Sequence, residues 1–209
     1  IILHSGLGRA VLPQEAVLAL ARCDGYSLLE VDRARGERRK RDAFLEELIV
    51  DITGCEAALI VNNNAAATML VLNTLARGKN VLVSRSQLIE IGGSFRLPDV
   101  MEASGCRLKE VGTTNRSYVS DYERAIDAET GALMLVHTSN YRLVGFTEHV
   151  DLAEMVALGK ARGLPVYHDL GSGSLVALTD LGIGDEPPVQ DSVRQNADLI
   201  SFSGDKMIG

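Results

Sequence analysis

The chain has 209 residues, of which 46% are hydrophobic and 23% charged, and its formal net charge is −7. This length and composition fit one globular domain of generous size, or one domain with a fragment of another. The negative charge excludes a general electrostatic attraction to nucleic acid. We therefore expect no binding to DNA, and any contact with RNA must be local.

The sequence also argues against a membrane protein and a metal protein. No apolar run approaches the roughly 18 residues that a membrane helix needs, and the first residues lack the basic and long apolar regions of a signal peptide. We therefore expect a cytoplasmic protein without membrane contact. The three cysteines, Cys23, Cys55 and Cys106, are scattered. Neither they nor the four histidines have the spacing of a metal site, so no metal is expected.

In chain order, the first predicted elements are two helices within residues 1–56. Pro13 opens an apolar-periodic stretch to Cys23, and proline is tolerated at a helix start because its missing N–H needs no partner there. A second helix is predicted over residues 37–53, where apolar residues recur at helical spacing until Gly54 ends it. We treat residues 1–56 as an N-terminal helical segment that leads into a larger domain, 57–209.

From residue 57 the pattern predicts an α/β fold. Short apolar runs alternate with helix-like stretches such as 65–76 and 150–162; the runs occupy residues 57–61, 81–83, 133–136, 164–167 and 199–202. Runs that are apolar throughout suit strands covered on both faces, and helices between them suit parallel crossovers. We expect a mostly parallel central sheet with helices on both faces.

Ligands of such sheets bind beyond the carboxyl ends of the strands, and three features there suggest a cofactor. The sequence NNNAAA at 62–67 leads from a predicted strand into a helix, whose N-terminus suits a phosphate, although a plain asparagine cap is the alternative. Asp169 can hold a protonated ring nitrogen or only cap the next segment. Lys206 becomes a nucleophile if its pKa is lowered, although most lysines are solvated. Together, with the Ser203 hydroxyl for the phosphate, they fit pyridoxal phosphate.

A nucleotide-binding fold is the competing interpretation of the same polar edge. The stretch GSGSLVA at 171–177 has two glycines in dinucleotide spacing, but Ala177 stands one place late, and no acidic residue closes a strand about 20 residues on. The phosphate-binding loop pattern G-x-x-x-x-G-K-[ST] is absent from the sequence. The match is partial and weak.

Seven stretches of the sequence resemble bacterial selenocysteine synthases, the L-seryl-tRNA(Sec) selenium transferase family. They occur in order through nearly the whole chain, which makes the resemblance specific. They are LHSGLGRA at 3–10, VNNNAAA at 61–67, EIGGSFR at 90–96, EVGTTNR at 110–116, VHTSNY at 136–141, DLGSGSL at 169–175 and SFSGDK at 201–206. The chain is similar to the cofactor-domain core of that family, without the N-terminal tRNA-binding domain and the small C-terminal domain that the family has.

The resemblance implies the large domain of a fold type I pyridoxal phosphate-dependent transferase. Lys206 matches the Schiff-base lysine and Asp169 the partner of the ring nitrogen. Asn140 matches the residue that touches the ring oxygen of the cofactor, and the phosphate loop matches Asn63, Asn64 and Ala65. The family replaces the hydroxyl of serine, esterified to tRNA(Sec), with selenium from selenophosphate through an aminoacrylyl intermediate on the cofactor. Hydroxide leaves poorly, so a general acid is needed, and Asp205 is the candidate.

The resemblance also suggests how anionic substrates are held. Arg9 keeps its family match, and its fork of N–H groups suits a phosphate-like selenium donor. Arg38 and Arg41 match arginines of a family motif and are candidates to bind the donor or tRNA phosphate, although a solvated basic stretch is the simpler interpretation. Arg39 stands where the family usually has glycine, which puts the local backbone in doubt.

Family sites are shared across a dimer within a larger ring, so a homo-oligomer is expected. Two other functions stay open at this point. One is a related pyridoxal phosphate-dependent lyase that acts on a small phosphorylated amino compound. The other is a binding or assembly module without catalysis.

Overall fold

The computed structural model describes residues 5–93, 95–184 and 186–207. His4 and Ser94, which belong to two of the family motifs, therefore lie outside the described residues. The helices are α1 (Gln14–Leu20), α2 (Ala43–Thr53), α3 (Asn64–Ala76), α4 (Leu97–Ala103), α5 (Val119–Ala125), α6 (Leu152–Arg162), α7 (Val189–Arg194) and α8 (Gly204–Met207). The strands are β1 (Asn80–Ser84), β2 (Glu90–Ile91), β3 (Phe95–Arg96), β4 (Arg107–Val111), β5 (Thr130–Val136), β6 (Val166–Gly171) and β7 (Leu199–Phe202).

Five strands form one parallel sheet in the order β4-β1-β5-β6-β7, and β2 pairs with β3 in a separate antiparallel ribbon. All seven residues of β5 are buried. This is the reason its sequence is apolar throughout, since both faces of a central parallel strand are covered. The α/β fold with a mostly parallel sheet is confirmed.

The two faces of the sheet carry two separate cores. Along β5, Ala132 and Met134 belong to a cluster completed by side chains of α3 and α4. The alternate residues, Leu133 and Leu135, belong to a second cluster with α5 and α6. Successive side chains of a strand point to opposite faces, so the alternation shows that helices cover both faces, as the sequence predicted.

The predicted strand at 57–61 does not form. Leu59 and Ile60 are 60% and 48% exposed, and this run lies outside every strand of the described residues. A β-strand needs a hydrogen-bonded neighbour, and no described segment pairs with this one. The helix that follows nevertheless begins at Asn64, as the sequence indicated.

The boundaries of several elements also differ from the sequence prediction; helix α1, for example, ends at Leu20 rather than at Cys23. Helix α2 begins at Ala43 rather than at residue 37, because Arg38 pairs with Val31 in an isolated antiparallel bridge. Its C-terminus is confirmed, since Gly54 caps it with φ +77°. Strand β6 continues through Asp169 to Gly171. The sequence RLKEV of β4 gave no strand signal, because its charged residues lie on an edge strand with partly exposed positions.

Candidate active site

A small cavity of about 170 Å³ lies at the carboxyl ends of β6 and β7. Six of the predicted site residues line it together with hydrophobic and polar neighbours: Asn63, Asn64, Ala65, Asp169, Ser203 and Lys206, with Ile89, Ile91, Phe95, His137, Ser139 and Gly171. The strand register explains why these residues lie close together, because Asp169 is paired with Val136 on one side and with Ser201 on the other. Residues far apart in sequence thus share one edge of the sheet.

Asp169 is a buried carboxylate with two neighbours on α3. It is 2% exposed, and the Asn64 amide Nδ2 donates a hydrogen bond to its Oδ1 at 2.8 Å. The Thr68 hydroxyl lies 3.5 Å from its Oδ2. Burial raises the pKa of Asp169 because it disfavours the charged form, while the Asn64 hydrogen bond and the positive charge of Lys206 oppose this rise. Among the described residues, no Lys, Arg or His side chain forms an ion pair with this carboxylate.

The start of α3 forms the second wall of the cavity. Asn63 is its N-cap, and its Oδ1 accepts a hydrogen bond from the backbone N–H of Ala66 at 2.9 Å. The first N–H groups of a helix have no partner within the helix, so they can bind an anion. The Asn64 Oδ1 atom is buried and has no hydrogen-bond partner among the described residues.

Lys206 lies in the short helix α8, directly after β7. Burial lowers the pKa of its amine, and the positive charge of Arg9 adds to this effect, while Asp169, Asp205 and Glu186 oppose it. A lowered pKa raises the fraction of neutral amine, which is the form that condenses with an aldehyde. This is the electrostatic environment that the proposed Schiff-base lysine requires.

Arg9 reaches this region from the N-terminal part of the chain. Its Nη1 lies 2.7 and 2.6 Å from the two carboxylate oxygens of Asp205, the residue that precedes Lys206. The backbone N–H of Ala10 also donates to the Asp205 carbonyl at 3.3 Å. Asp205 is thus a partner of Arg9 and does not line the cavity.

Three other predicted site residues also lie outside the cavity lining. The Asn140 amide donates to the Glu90 carbonyl at 2.9 Å. Arg38 and Arg41 both pair with Glu30, at 3.3 and 2.6 Å, and their side chains are 86% and 76% exposed. These arginines form a solvated ion-pair cluster in the described structure.

Sequence reasoning missed a buried hydroxyl network beneath Asp169. The Tyr167 hydroxyl lies 3.0 Å from Thr68 Oγ1 and 2.6 Å from Ser201 Oγ. These three side chains come from β6, α3 and β7 and meet only in the folded sheet. The network fixes Thr68, and through it one side of the Asp169 carboxylate.

The residues of the cavity fit the pyridoxal phosphate that the sequence predicted. A protonated pyridine nitrogen would give the buried Asp169 carboxylate the cation it lacks. The half-buried Lys206 amine and the α3 N-terminus suit the aldehyde and the phosphate. The fit rests on the buried carboxylate and on the donor groups of the described residues.

The described part of the chain contains neither a membrane-spanning helix nor a cluster of metal-binding side chains. No helix in the described ranges combines the length and apolar character needed to cross a bilayer. Within residues 5–93, 95–184 and 186–207, no three or more His, Cys, Asp or Glu side chains lie close enough together to hold a metal ion.

Solved structures with a similar fold support the fold class. The structure of D-glucosaminate-6-phosphate ammonia-lyase has a TM-score of 0.74 at 20% identity, and the match covers 97% of this chain and 52% of that one. Aspartate aminotransferase from Thermus thermophilus has a TM-score of 0.51 at 15% identity, over 78% of this chain and 41% of that one. The fold is that of the large domain of fold type I pyridoxal phosphate-dependent enzymes.

Sequence relatives are far closer. The L-seryl-tRNA(Sec) selenium transferases of Nitratidesulfovibrio vulgaris and Desulfomicrobium baculatum are 55% and 53% identical over 210 residues, which cover 100% of this chain and 45% of each relative. The chain thus spans about half the length of these curated relatives. The model of the family L-seryl-tRNA selenium transferase matches residues 1–209. Because this match covers the entire sequence, the chain belongs to the L-seryl-tRNA selenium transferase family.

Proposed function

We propose that this chain is the cofactor-binding core of an enzyme that converts seryl-tRNA(Sec) to selenocysteinyl-tRNA(Sec), with selenophosphate as selenium donor and pyridoxal phosphate as cofactor. The observation that carries the proposal is the meeting of Asp169, Lys206 and the α3 N-terminus in one cavity. Family membership supports the same reaction, since the relatives are named for it.

Each cavity residue has a separate task in this proposal. When bound, pyridoxal phosphate supplies an electron sink for the bonding electrons at the serine Cα. Lys206 would hold the aldehyde group of the cofactor, and its free amine would accept the proton of the serine Cα. Asp169 would keep the ring nitrogen protonated. Asn63, Asn64, Ala65 and the Ser203 hydroxyl would hold the phosphate at the α3 N-terminus.

Asn140 enters the proposal only with a local rearrangement. Its amide is hydrogen-bonded to the Glu90 carbonyl, so contact with the ring oxygen of the cofactor requires this bond to be exchanged. The neighbouring Ser139 already lines the cavity, which means that a small shift of the segment after β5 suffices.

The arginines divide into two groups by position. Arg9 lies beside α8 through its ion pair with Asp205, next to the lysine, and we assign it to the anionic selenium donor. The pairing with Asp205 keeps Arg9 in place until the donor arrives. Arg38 and Arg41 are exposed and share Glu30, so a phosphate of the tRNA, or of the donor, can replace that carboxylate.

The N-terminal segment 1–56 carries an apolar surface that fits a homo-oligomer. Helix α1 has no buried residue and α2 buries only Thr53. Large apolar side chains are exposed on these helices and on the flanking loops: Leu7, Val11, Leu12, Val17, Leu18, Leu20, Tyr26, Leu28, Leu29, Phe44, Leu45, Leu48 and Ile52. Such a surface marks a protein contact. We infer that it packs against another copy in a dimer-based ring, whereas residues 57–209 carry the cofactor.

The first test is an absorbance spectrum of the protein with added pyridoxal phosphate, before and after borohydride reduction, followed by peptide mapping. A visible band that reduction fixes on Lys206 is the expected result. Lys206→Ala should abolish the band, and Lys160→Ala, an exposed lysine on α6, should retain it. A retained band in Lys206→Ala contradicts the assignment of the lysine.

The second test concerns the substrate. Selenium incorporation should require serine linked to tRNA(Sec). Turnover of a small phosphorylated amino compound without tRNA would instead favour a related lyase, and a cofactor-free spectrum with tight tRNA binding would favour a module without catalysis.

A further inference from the structure

A carboxylate in contact with the cavity residue His137 links two side chains that the proposed function does not yet use. Glu186 precedes α7, and its Oε1 lies 3.2 Å from the Nε2 atom of His137. The same oxygen accepts a hydrogen bond from the hydroxyl of Ser172, which is 6% exposed. The side chains of His137 and Glu186 are 26% and 23% exposed. Their pair is therefore shielded from solvent, unlike the exposed ion pairs on the surface.

His137 is held at the floor of the cavity by the sheet itself. Its backbone N–H donates to the Asp169 carbonyl at 2.9 Å, and its own carbonyl accepts from Ser139 N–H at 2.9 Å. Its side chain lines the cavity that Lys206 also lines. Glu186 engages Nε2, while Nδ1 has no hydrogen-bond partner among the described residues. One ring nitrogen is thus fixed by a carboxylate and the other is available to a ligand.

The charged group that faces the His137 ring is the Glu186 carboxylate. Burial opposes ionisation of Glu186, yet the hydrogen bonds from His137 and Ser172 lower its pKa, so it is a carboxylate at neutral pH. The nearby His168 differs, because burial and then the charge of His137 lower its pKa to about 4. His168 is also bound to Ser192 at 2.9 Å. His168 is outside the lining of the cavity, whereas His137 is part of it.

The reaction needs a proton at this place. Breaking the bond between Cβ and the serine hydroxyl releases hydroxide, a poor leaving group, unless an acid protonates the oxygen as the bond breaks. Asp205, the acid expected from the sequence, binds Arg9 with both oxygens and does not line the cavity. His137 does line it, and it carries an N–H donor.

We propose that His137 is the catalytic acid that protonates the departing hydroxyl of the serine substrate, and that Glu186, held by Ser172, is its positioning residue. The proton passes from His137 Nδ1 to the hydroxyl oxygen while the Cβ–O bond breaks. The electron pair of that bond stays with the oxygen, which leaves as water. The electrons left at Cα by proton transfer to Lys206 form the Cα–Cβ double bond. His137 is left neutral. When the selenium of the donor bonds to Cβ, Lys206 returns its proton to Cα, the Se–H proton of the donor passes to His137, and water then cleaves the P–Se bond and releases phosphate. The inference deepens the proposed function and rests on it.

The test uses the full-length enzyme with pyridoxal phosphate and compares His137→Asn with the unaltered protein. Two tRNA(Sec) substrates are used, one carrying serine and one carrying β-chloroalanine, because chloride leaves without a proton. The loss of a general acid should slow turnover of the serine substrate about 10²-fold or more. Turnover of the chloroalanine substrate, the visible cofactor band, and deuterium exchange at the serine Cα in heavy water should all persist.

Two further variants complete the design. Glu186→Gln keeps the shape but not the charge, so kcat for the serine substrate should fall by a smaller factor, with KM and chloroalanine turnover retained. His149→Asn replaces an exposed histidine outside the lining of the cavity and should change none of these rates.

Two outcomes would overturn the role of His137: unchanged serine turnover in His137→Asn, or an equal loss with both substrates, which indicates a structural role. Absence of the band and of Cα exchange in the unaltered enzyme would instead overturn the proposed function, and the inference with it.

Discussion

Replacing Asp169 with asparagine should stabilise the cofactor-free protein and weaken its binding of the cofactor. Asp169 is 2% exposed, and burial raises its pKa despite the nearby Lys206. An asparagine keeps the geometry, because its oxygen can accept from Asn64 and its amide can donate to Thr68. The substitution thus removes a buried charge and can keep the side-chain hydrogen bonds with Asn64 and Thr68.

The expected gain in stability is small and depends on pH. Burying an incompletely compensated polar group costs about 1–3 kcal/mol in proteins, so we expect Asp169→Asn to raise the free energy of unfolding by about 1 kcal/mol. Because the folded-state pKa is raised, the unaltered protein loses stability as pH rises from the usual aspartate value, about 3.9, through the folded value. The free energies of unfolding of Asp169→Asn and the unaltered protein should therefore differ at neutral pH and become equal in acid. Urea unfolding of the cofactor-free proteins at several pH values measures this.

The same variant should bind pyridoxal phosphate more weakly. Removing one partner of a buried, hydrogen-bonded charge pair costs about 2–5 kcal/mol, which corresponds to about 30-fold or more in affinity. Titration of the visible band with cofactor gives the comparison.

Asp127→Asn is the control, because it should change the stability at neutral pH in the opposite direction. The hydrogen bond and charge of Lys109 lower the pKa of Asp127 in the fold, although burial opposes them slightly. Its stabilising contribution is present above the usual aspartate pKa and is lost as pH falls through the lowered value. Asp127→Asn should therefore reduce stability at neutral pH. If Asp169→Asn also lowers the stability of the cofactor-free protein there, the charge of Asp169 stabilises the fold and the reasoning fails.

Two further predictions use other parts of the site. Gly173→Ala should lower the free energy of unfolding by about 2–3 kcal/mol, because φ is +72° and a Cβ would lie 2.3 Å from the Phe202 ring. Gly182→Ala is the control, since its φ is +66° and no atom lies within 4 Å of the added Cβ. It should lower the free energy of unfolding by only about 1 kcal/mol in the same urea experiment. Arg9→Ala should raise the pKa of Lys206 by removing a nearby positive charge. The pH at which cofactor attachment is half-maximal should therefore increase. If this pH is unchanged, the charges of Arg9 and Lys206 are not coupled.

Local sequence patterns predicted the sheet and most of its helices. The apolar runs within β1 and β5 were recognisable because central strands covered on both faces are largely apolar. β7 was recognisable from its apolar composition although it lies at the edge of the sheet. The run at 57–61 has the same composition and does not form a strand, because strand formation depends on a hydrogen-bonded neighbour that composition does not reveal. Strand β4 was missed for the converse reason, since it pairs at an edge although its sequence is charged.

The residue types of the candidate site were also readable in the sequence, because polar residues directly after apolar strands come to one edge of a parallel sheet. Asp169 and Lys206 were recognised in this way and by resemblance. Glu186 gave no such signal, since it lies in a loop after an irregular segment. Its contact with His137 depends on how that loop returns across the ends of β5 and β6.

Local periodicity and motifs were sufficient to predict the fold class, the family and the chemical groups of the candidate site. The contacts between these groups could not be predicted in this way: Asn64 meets Asp169 across 105 positions, Arg9 meets Asp205 across 196, and Tyr167 meets Ser201 across 34. Such contacts depend on strand order, on register and on the packing of helices against the sheet. These are properties of the folded chain as a whole, so no local stretch of the sequence encodes them.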